Sequence, residues 1–239
     1  MNKTLAPLLV TALLISACDR SAPPAPPKRS ATAKKPAPAP KPTPPPTDVL
    51  YNNDFENDKV GAEPEAVMVL DGAFAVTDDQ GNKILRLPGE PLDTFGVLLG
   101  PAAREDVTIR ARVRSHSTRR RFPSFAVGLA SAGGYKLRLA TNRDQLEMVS
   151  DETTISARPY EWKSGTWTHL ELSLVKTGEN SWEVSGRAWP EGTNKPQAAQ
   201  IQVKVTEEPP TGRASLWGTP FSSRPIDFDD VVIRRAPGS

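Results

Sequence analysis

The 239-residue chain contains one cysteine, Cys18, and two histidines, His116 and His169. A single cysteine excludes an internal disulfide framework and every paired-cysteine zinc site. There is no Gly-x-Ser-x-Gly, no His-Glu-x-x-His and no phosphate-loop spacing, so the serine-hydrolase, zincin and P-loop classes find no support. No apolar run reaches the eighteen or so residues that a membrane helix needs. The longest, Leu5 to Ile15, is broken by Pro7 and Thr11. No segment keeps a helical apolar period for more than a turn or two, which leaves little room for an α-rich core.

What is present falls into three parts. Lys3 and the short apolar run have the build of an export signal, and they lead into Leu14-Ile15-Ser16-Ala17-Cys18. That sequence resembles the lipobox of bacterial lipoproteins. The resemblance implies that residues 1–17 are a signal peptide and that Cys18 carries a thioether-linked diacylglycerol and an acyl chain such as palmitate. The alternative is an ordinary secretory cut near Ala17, which would leave a free thiol in an oxidising compartment. Two or more acyl chains, at about 0.8 kcal/mol per buried methylene, make such an anchor stable. Asp19 resembles the signal that keeps lipoproteins of double-membraned bacteria in the inner membrane. It implies a domain facing the periplasm from that membrane, with the outer membrane or the cell surface as the alternatives.

Residues 18–47 form the second part, the acylated cysteine and a tether. Positions 19–47 hold eleven prolines among Ala, Ser, Thr and basic residues, with six Lys and Arg against Asp19 alone. Such a composition cannot bury enough surface to offset its ordering entropy. Proline stiffens it, and at about 3.1 Å per residue in polyproline II the extended tether would reach roughly 90 Å. Its charge, net +5, either provides solubility and spacing or lies against anionic headgroups. Residues 48–239 hold 23 Lys and Arg against 27 Asp and Glu, net −4, so the chain's basic balance belongs to its leading segment. An acidic domain in an exported chain argues against nucleic acid as a partner.

The third part, residues 48–239, is long enough for one domain with a substantial core. Apolar residues alternate with polar ones about every ten residues between Gly, Pro, Asn or Asp, the grammar of short antiparallel strands. In Val107–Arg114, Ile109, Ala111 and Val113 face one way and Arg110, Arg112 and Arg114 the other. The same pattern marks 135–139, 168–174 and 182–188, and further strands are expected at 66–70, 73–77, 82–87, 95–99, 123–130, 144–150, 199–205, 212–218 and 226–235. A dozen such strands without a long helix must close on themselves to hide their edges. The fold class expected is all-β, an antiparallel jelly-roll β-sandwich.

Several stretches carry a family resemblance: Asp54-Phe55-Glu56, Gly72-Ala73-Phe74, Gly165-Thr166-Trp167-Thr168-His169-Leu170, Arg187 to Gly192 with Pro196, and Ile226-Asp227-Phe228-Asp229-Asp230-Val231-Val232-Ile233. Together they resemble concanavalin A-like lectin/glucanase domains, in the laminin G-like and 3-keto-disaccharide-hydrolase-like flavour of bacterial envelope proteins. Glucanases of that superfamily carry a Glu-x-Asp-x-x-Glu or Glu-x-Asp-x-Glu strand, because two carboxylates must flank the glycosidic bond. This chain has none. Asp227/Asp229/Asp230 and Asp151/Glu152 have the wrong types and spacing, and His169 on a strand lacks an evident partner for base catalysis. A metal-dependent hydrolase or lyase of the 3-keto-disaccharide type stays open through residues on loops.

In related jelly rolls a hard cation ties the first strand to the last. Asp54 and Glu56 facing Asp229 or Asp230 would supply oxygen ligands for a structural calcium ion. The alternative is that Asp229 or Asp230 caps a bulge by accepting backbone N–H groups. For a sugar ligand, flat apolar rings are needed. Trp182 is in register with Val184 and points inward, and Trp167 and Trp217 are assigned to packing. Trp189 before a Pro-Glu-Gly turn, Trp162 in a loop-like segment and neighbouring Tyr160 are the platform candidates. Arg110, Arg112 and Arg114, near Arg119-Arg120-Arg121 and flanked by Lys136, Arg138 and Arg187, would form a basic stripe for an anionic glycan, peptidoglycan or headgroup. Alternatively they pair with Glu147, Glu171 and Glu183 across the sheet. The chain is thus expected to be a lipid-anchored, non-catalytic envelope protein presenting a carbohydrate-binding sandwich. A glycan-processing enzyme and a protein-interaction module are the alternatives.

Overall fold

A computed structural model of the chain describes residues 48–89, 93–221 and 223–236. The signal segment 1–17, Cys18 and the tether 19–47 lie outside the described residues. The alternation read from the sequence becomes fifteen strands, with no helix among the described residues. They are β1 Val49–Asn53, β2 Val67–Asp71, β3 Ala75–Asp79, β4 Asn82–Leu87, β5 Phe95–Ala103, β6 Val107–Ser115, β7 Ser124–Leu129, β8 Tyr135–Ala140, β9 Gln145–Ser150, β10 Thr153–Pro159, β11 Thr168–Gly178, β12 Ser181–Pro190, β13 Ile201–Val205, β14 Gly212–Thr219 and β15 Ile226–Arg235.

One sheet runs β13-β12-β11-β6-β15-β4-β3, with β1 pairing β15, and the other runs β10-β9-β8-β7-β14-β5-β2. The strands pair antiparallel throughout, as the hairpin-like spacing requires. Strand β6 shows how the sequence sets the layers. Val107, Ile109, Ala111, Val113 and Ser115 are buried in strict alternation with the half-buried Thr108, Arg110, Arg112 and Arg114. Ile109, Ala111 and Val113 join Leu170, Leu172, Leu137, Leu139, Phe125 and Phe228 in a single core drawn from both sheets. Burying each such side chain contributes about 1.5–3 kcal/mol. The sheets approach closely because β12 carries Gly186, where a Cβ would come within 2.4 Å of Leu137 Cδ1 from the facing sheet.

Two strands, β1 and β10, were not expected. Strand β10 is an edge strand that buries little, with the burial pattern of a polar segment, so it offers no apolar period to read. Strand β1 lies directly after the tether and gains its order from pairing with β15. Near the middle of β15 the register with β6 slips between Asp229 and Val232. Asp230 sits there with φ +48°, and its N–H donates to Asp229 Oδ1 at 2.7 Å. This is the bulge-capping role weighed against calcium.

Candidate functional site

The outer face of the eight-stranded sheet gathers the strand arginines, and register decides what each one meets. Arg114 lies opposite Asp227, and Arg112 opposite Asp229, on β15. Arg114 Nη2 donates to Asp227 Oδ2 at 2.8 Å and to Asp79 Oδ2 at 2.6 Å. Arg86 from β4 grips the same Asp227 with two nitrogens, at 2.6 and 3.1 Å. Arg112 meets Asp229 at 2.7 Å, Asp230 at 3.1 Å and Glu191 at 3.9 Å. Burial works against the charge on Arg112 and Arg114. The facing carboxylates outweigh it and hold both guanidinium pKa values above their ordinary range. Both guanidiniums also stand over the Trp167 ring, at 4.8 and 4.6 Å from its centroid. Arg112 and Arg114 are therefore structural cations rather than free ligand donors. The partners expected across the sheet were glutamates, and for these two arginines the register supplies aspartates instead.

The stripe is also shorter than expected. Lys136 and Arg138 lie on β8, in the other sheet. There Arg138 and Arg143 pair with the buried Glu147, at 2.7 and 2.8 Å. Lys136 pairs with Glu152 and sits 4.1 Å from the Trp217 ring centroid. Arg187 does belong to the same face as Arg110. It reaches Glu171 at 3.2 Å, and Lys195 holds the other Glu171 oxygen at 2.7 Å.

The aromatic candidates need correction. Trp162 is 9 % exposed and packs edge-on to Phe125, with ring centroids 5.8 Å apart. Its loop turns inward and the ring joins the core. Trp189 belongs to β12 itself and is 6 % exposed. It stacks on His169 at 4.9 Å. Tyr160 packs against the core, and burial pushes its phenol up to about 12. The two buried tryptophans offer no free ring face to a sugar, and Tyr160 is half-buried against the core. Trp182 points inward as expected and donates its indole N–H to Glu105 at 2.6 Å.

The calcium candidates are engaged by groups of the protein itself. Asp54 Oδ1 accepts the Glu56 N–H, and Glu56 Oε1 accepts the Lys83 N–H. Asp229 is taken by Arg112, Asn82 and its own bulge. No group of three or more acidic, His or Cys side chains that could hold a metal occurs among the described residues. His169 does have a carboxylate partner, Glu191 at 2.5 Å from Nε2. Its Nδ1 is buried without a hydrogen-bond partner among the described residues.

One arginine of the ladder is left over. Arg110 has no hydrogen-bond or ion-pair partner among the described residues, although Glu171 lies opposite it. It opens on a groove of about 470 Å³. The floor is a row of small hydroxyls from three adjacent strands, Thr108, Ser173 and Ser185, paired in register. Thr108 and Ser173 share a hydrogen bond of 2.8 Å. Small side chains make the depression, and Arg110, Arg187 and Lys195 line it. Arg187 Nε is buried there without a partner among the described residues. The arrangement provides guanidinium donors beside hydroxyls, which suits a carboxylate on a polyhydroxylated ligand. Nothing in the sequence distinguished Arg110 from its neighbours, because the difference lies in what β15 places opposite: Val232 for Arg110, a carboxylate for the other two.

No family model matches this chain, and no curated protein does. Solved structures do. The exoplasmic/lumenal domain of VIP36 in its Ca2+/Man3GlcNAc-bound form is 11 % identical, covers 75 % of this chain and 90 % of its own, and has a TM-score of 0.52. The carbohydrate recognition domain of Emp47p gives 10 %, 78 %, 95 % and 0.52. The catalytic domain of a glycoside hydrolase family 131 protein from Coprinopsis cinerea gives 11 %, 80 %, 98 % and 0.52. Identities this low speak to fold alone, and the fold they define is the concanavalin A-like jelly-roll sandwich of lectins and glucanases.

Proposed function

We propose that this chain is a lipid-anchored, non-catalytic envelope protein whose sandwich binds an acidic glycan in the Arg110 groove. The observation that carries the reading is Arg110, a half-buried guanidinium left unpaired over a hydroxyl floor on a face where its strand neighbours are neutralised. Carbohydrate is the ligand class in the names of two of the similar domains. The anchor and location rest on Cys18 and Asp19, as read from the sequence, with Cys18 acylated and the domain held on the tether at the periplasmic face of the inner membrane. Support for binding over hydrolysis comes from the carboxylates of this face. Asp227 and Asp229 are buried against arginines and Glu171 is held by two cations, whereas glycosidases need a facing pair free to shuttle protons.

The test is calorimetric titration of the chain with an oligouronate and with a neutral β-glucan oligomer. The oligouronate should bind and Arg110→Ala should weaken it at least about tenfold, the worth of a charge-assisted hydrogen bond of about 1.5–3 kcal/mol. Equal binding of both oligomers, indifferent to Arg110, would refute the groove. For the anchor, labelled palmitate should enter the wild-type protein and not Cys18→Ala.

A further inference from the structure

Four further arginines without an ion-pair partner among the described residues lie together at one end of the sandwich. Thr118 and Arg121 close a two-residue hairpin in the β6–β7 loop, with N–H···O bonds of 3.1 and 2.9 Å in both directions. Arg119 and Arg120 therefore sit at its tip. Arg119 has φ +51°, a conformation that such turns usually give to glycine or asparagine. The loop before β15 makes a matching bridge between Phe221 and Arg224. Between the two loops lies a cup of about 820 Å³ lined by Thr118, Arg119, Arg120, Arg121, Ser223 and Arg224. Among the described residues no carboxylate lines it, and none of its four guanidiniums makes an ion pair. Thr118 Oγ1 is buried in this lining without a hydrogen-bond partner among the described residues. Phe122, next in sequence, is one of the few exposed large apolar side chains.

Four unpaired arginines on a domain of net −4 mark a place built for anions, since like charges held together raise each other's energy until a counter-charge arrives. Guanidinium forks match phosphate oxygens in pairs, and an aromatic residue beside basic ones is the composition that settles at a headgroup boundary. Register places the cup. Ser115 pairs with Ile226 at this end of β6 and β15, and Val107 pairs with Arg235 at the other, where Asp48 also accepts the Arg235 N–H. Nine residues of strand put these ends roughly 26 Å apart. The polypeptide thus enters the domain at one end and the cup occupies the opposite one.

We propose that Arg119, Arg120, Arg121 and Arg224 form a phosphate-binding cup through which this end of the sandwich docks on an anionic phospholipid surface, with Phe122 entering the headgroup layer. The site is separate from the Arg110 groove and acts independently of it. It is tested by sedimenting residues 18–239 carrying Cys18→Ala, which leaves out both the acyl chains and the apolar signal run, with vesicles of phosphatidylcholine alone or mixed with phosphatidylglycerol. The protein should partition onto the mixed vesicles only. A charge near such a surface is worth roughly fivefold in partitioning, so R119Q/R120Q/R121Q/R224Q should lose at least about tenfold after screening by salt. Phe122→Ser should lose a few-fold. The basic tether is the same in every variant, so undiminished binding by the four-fold variant would overturn the proposal. So would a parent chain that takes up inorganic phosphate or an oligouronate through these arginines and ignores the vesicles. A urea midpoint equal to the parent's shows that the variant is folded.

Discussion

The arginines of the β6 strand and those of the hairpin that follows it are a few residues apart, yet they live in different electrostatic worlds. Arg112 and Arg114 are clamped by Asp227, Asp229, Asp79 and Asp230. Arg119, Arg120 and Arg121 have no such partners among the described residues. On a strand, register delivers a neighbour from the adjacent strand at about 5 Å, and selection of that neighbour neutralises the charge. At a hairpin tip no strand lies alongside, so a charge there faces solvent or a ligand. Free cations, and with them binding chemistry, are found here at a hairpin tip and at Arg110, where β15 supplies Val232 and the Glu171 opposite on β11 is already held by Arg187 and Lys195.

Breaking a clamp should have the largest effect. Asp227 is 6 % exposed and answers two arginines. Asp227→Ala leaves Arg86 and Arg114 facing each other without their shared counter-ion, and should cost about 3 kcal/mol, the scale for removing one partner of a buried pair. Urea denaturation measures this, and a loss under about 1 kcal/mol would mean that solvent, not Asp227, carries the arginines. The same assay sharpens the contrast within β6. Arg112→Ala strands the buried Asp229 and should cost about 2 kcal/mol, while Arg110→Ala should stay within about 0.5 kcal/mol and still abolish most oligouronate binding.

A smaller effect is expected from the histidine on the clamped face. Burial holds the His169 imidazole below its ordinary value, with Glu191 pulling the other way and Arg110 and Arg112 adding to the depression. An unfolded histidine takes up its proton near pH 6.5. Between that pH and the lower folded value the unfolded chain binds more protons, so stability should fall as pH drops through this window. His169→Gln should remove that part of the acid limb, in urea midpoints compared at neutral and mildly acid pH. An unchanged slope would assign the acid sensitivity to the carboxylate clamps instead.

The thirteen strands expected from the sequence all form, because one apolar face per strand leaves a period-two mark that survives without any knowledge of partners. The fold class follows from the number of such strands and the want of helices. What stayed hidden is what depends on distant pairing. Asp227 and Asp229 clamp arginines more than a hundred residues earlier in the chain, and no local pattern announces that. Lys136 and Arg138 were placed beside β6 by alternation, but the chain crosses to the second sheet after β6. Trp162 read as exposed from its Pro-Tyr-Glu-Trp-Lys setting, yet its ring packs against Phe125 in the core. The Arg119–Arg121 run was visible as charge, and only the partner-free loops show that the charge is available.

The smallest effect on stability should come from the four cup arginines, and its sign is informative. Replacing Arg119, Arg120, Arg121 and Arg224 with Gln removes no ion pair made with a described residue and leaves the backbone bonds of both hairpins in place. Surface changes of this kind stay within about 0.5 kcal/mol. Relief of repulsion among four like charges should make the variant slightly more stable than the parent at low ionic strength. The gain should vanish as salt shortens the screening length to about 10 Å at 0.1 M and below that at higher concentration. Urea midpoints of the two chains across a salt series give the answer. If the variant is instead less stable, and the deficit shrinks with salt, these arginines have carboxylate partners after all and the hairpin obeys the same rule as the strand.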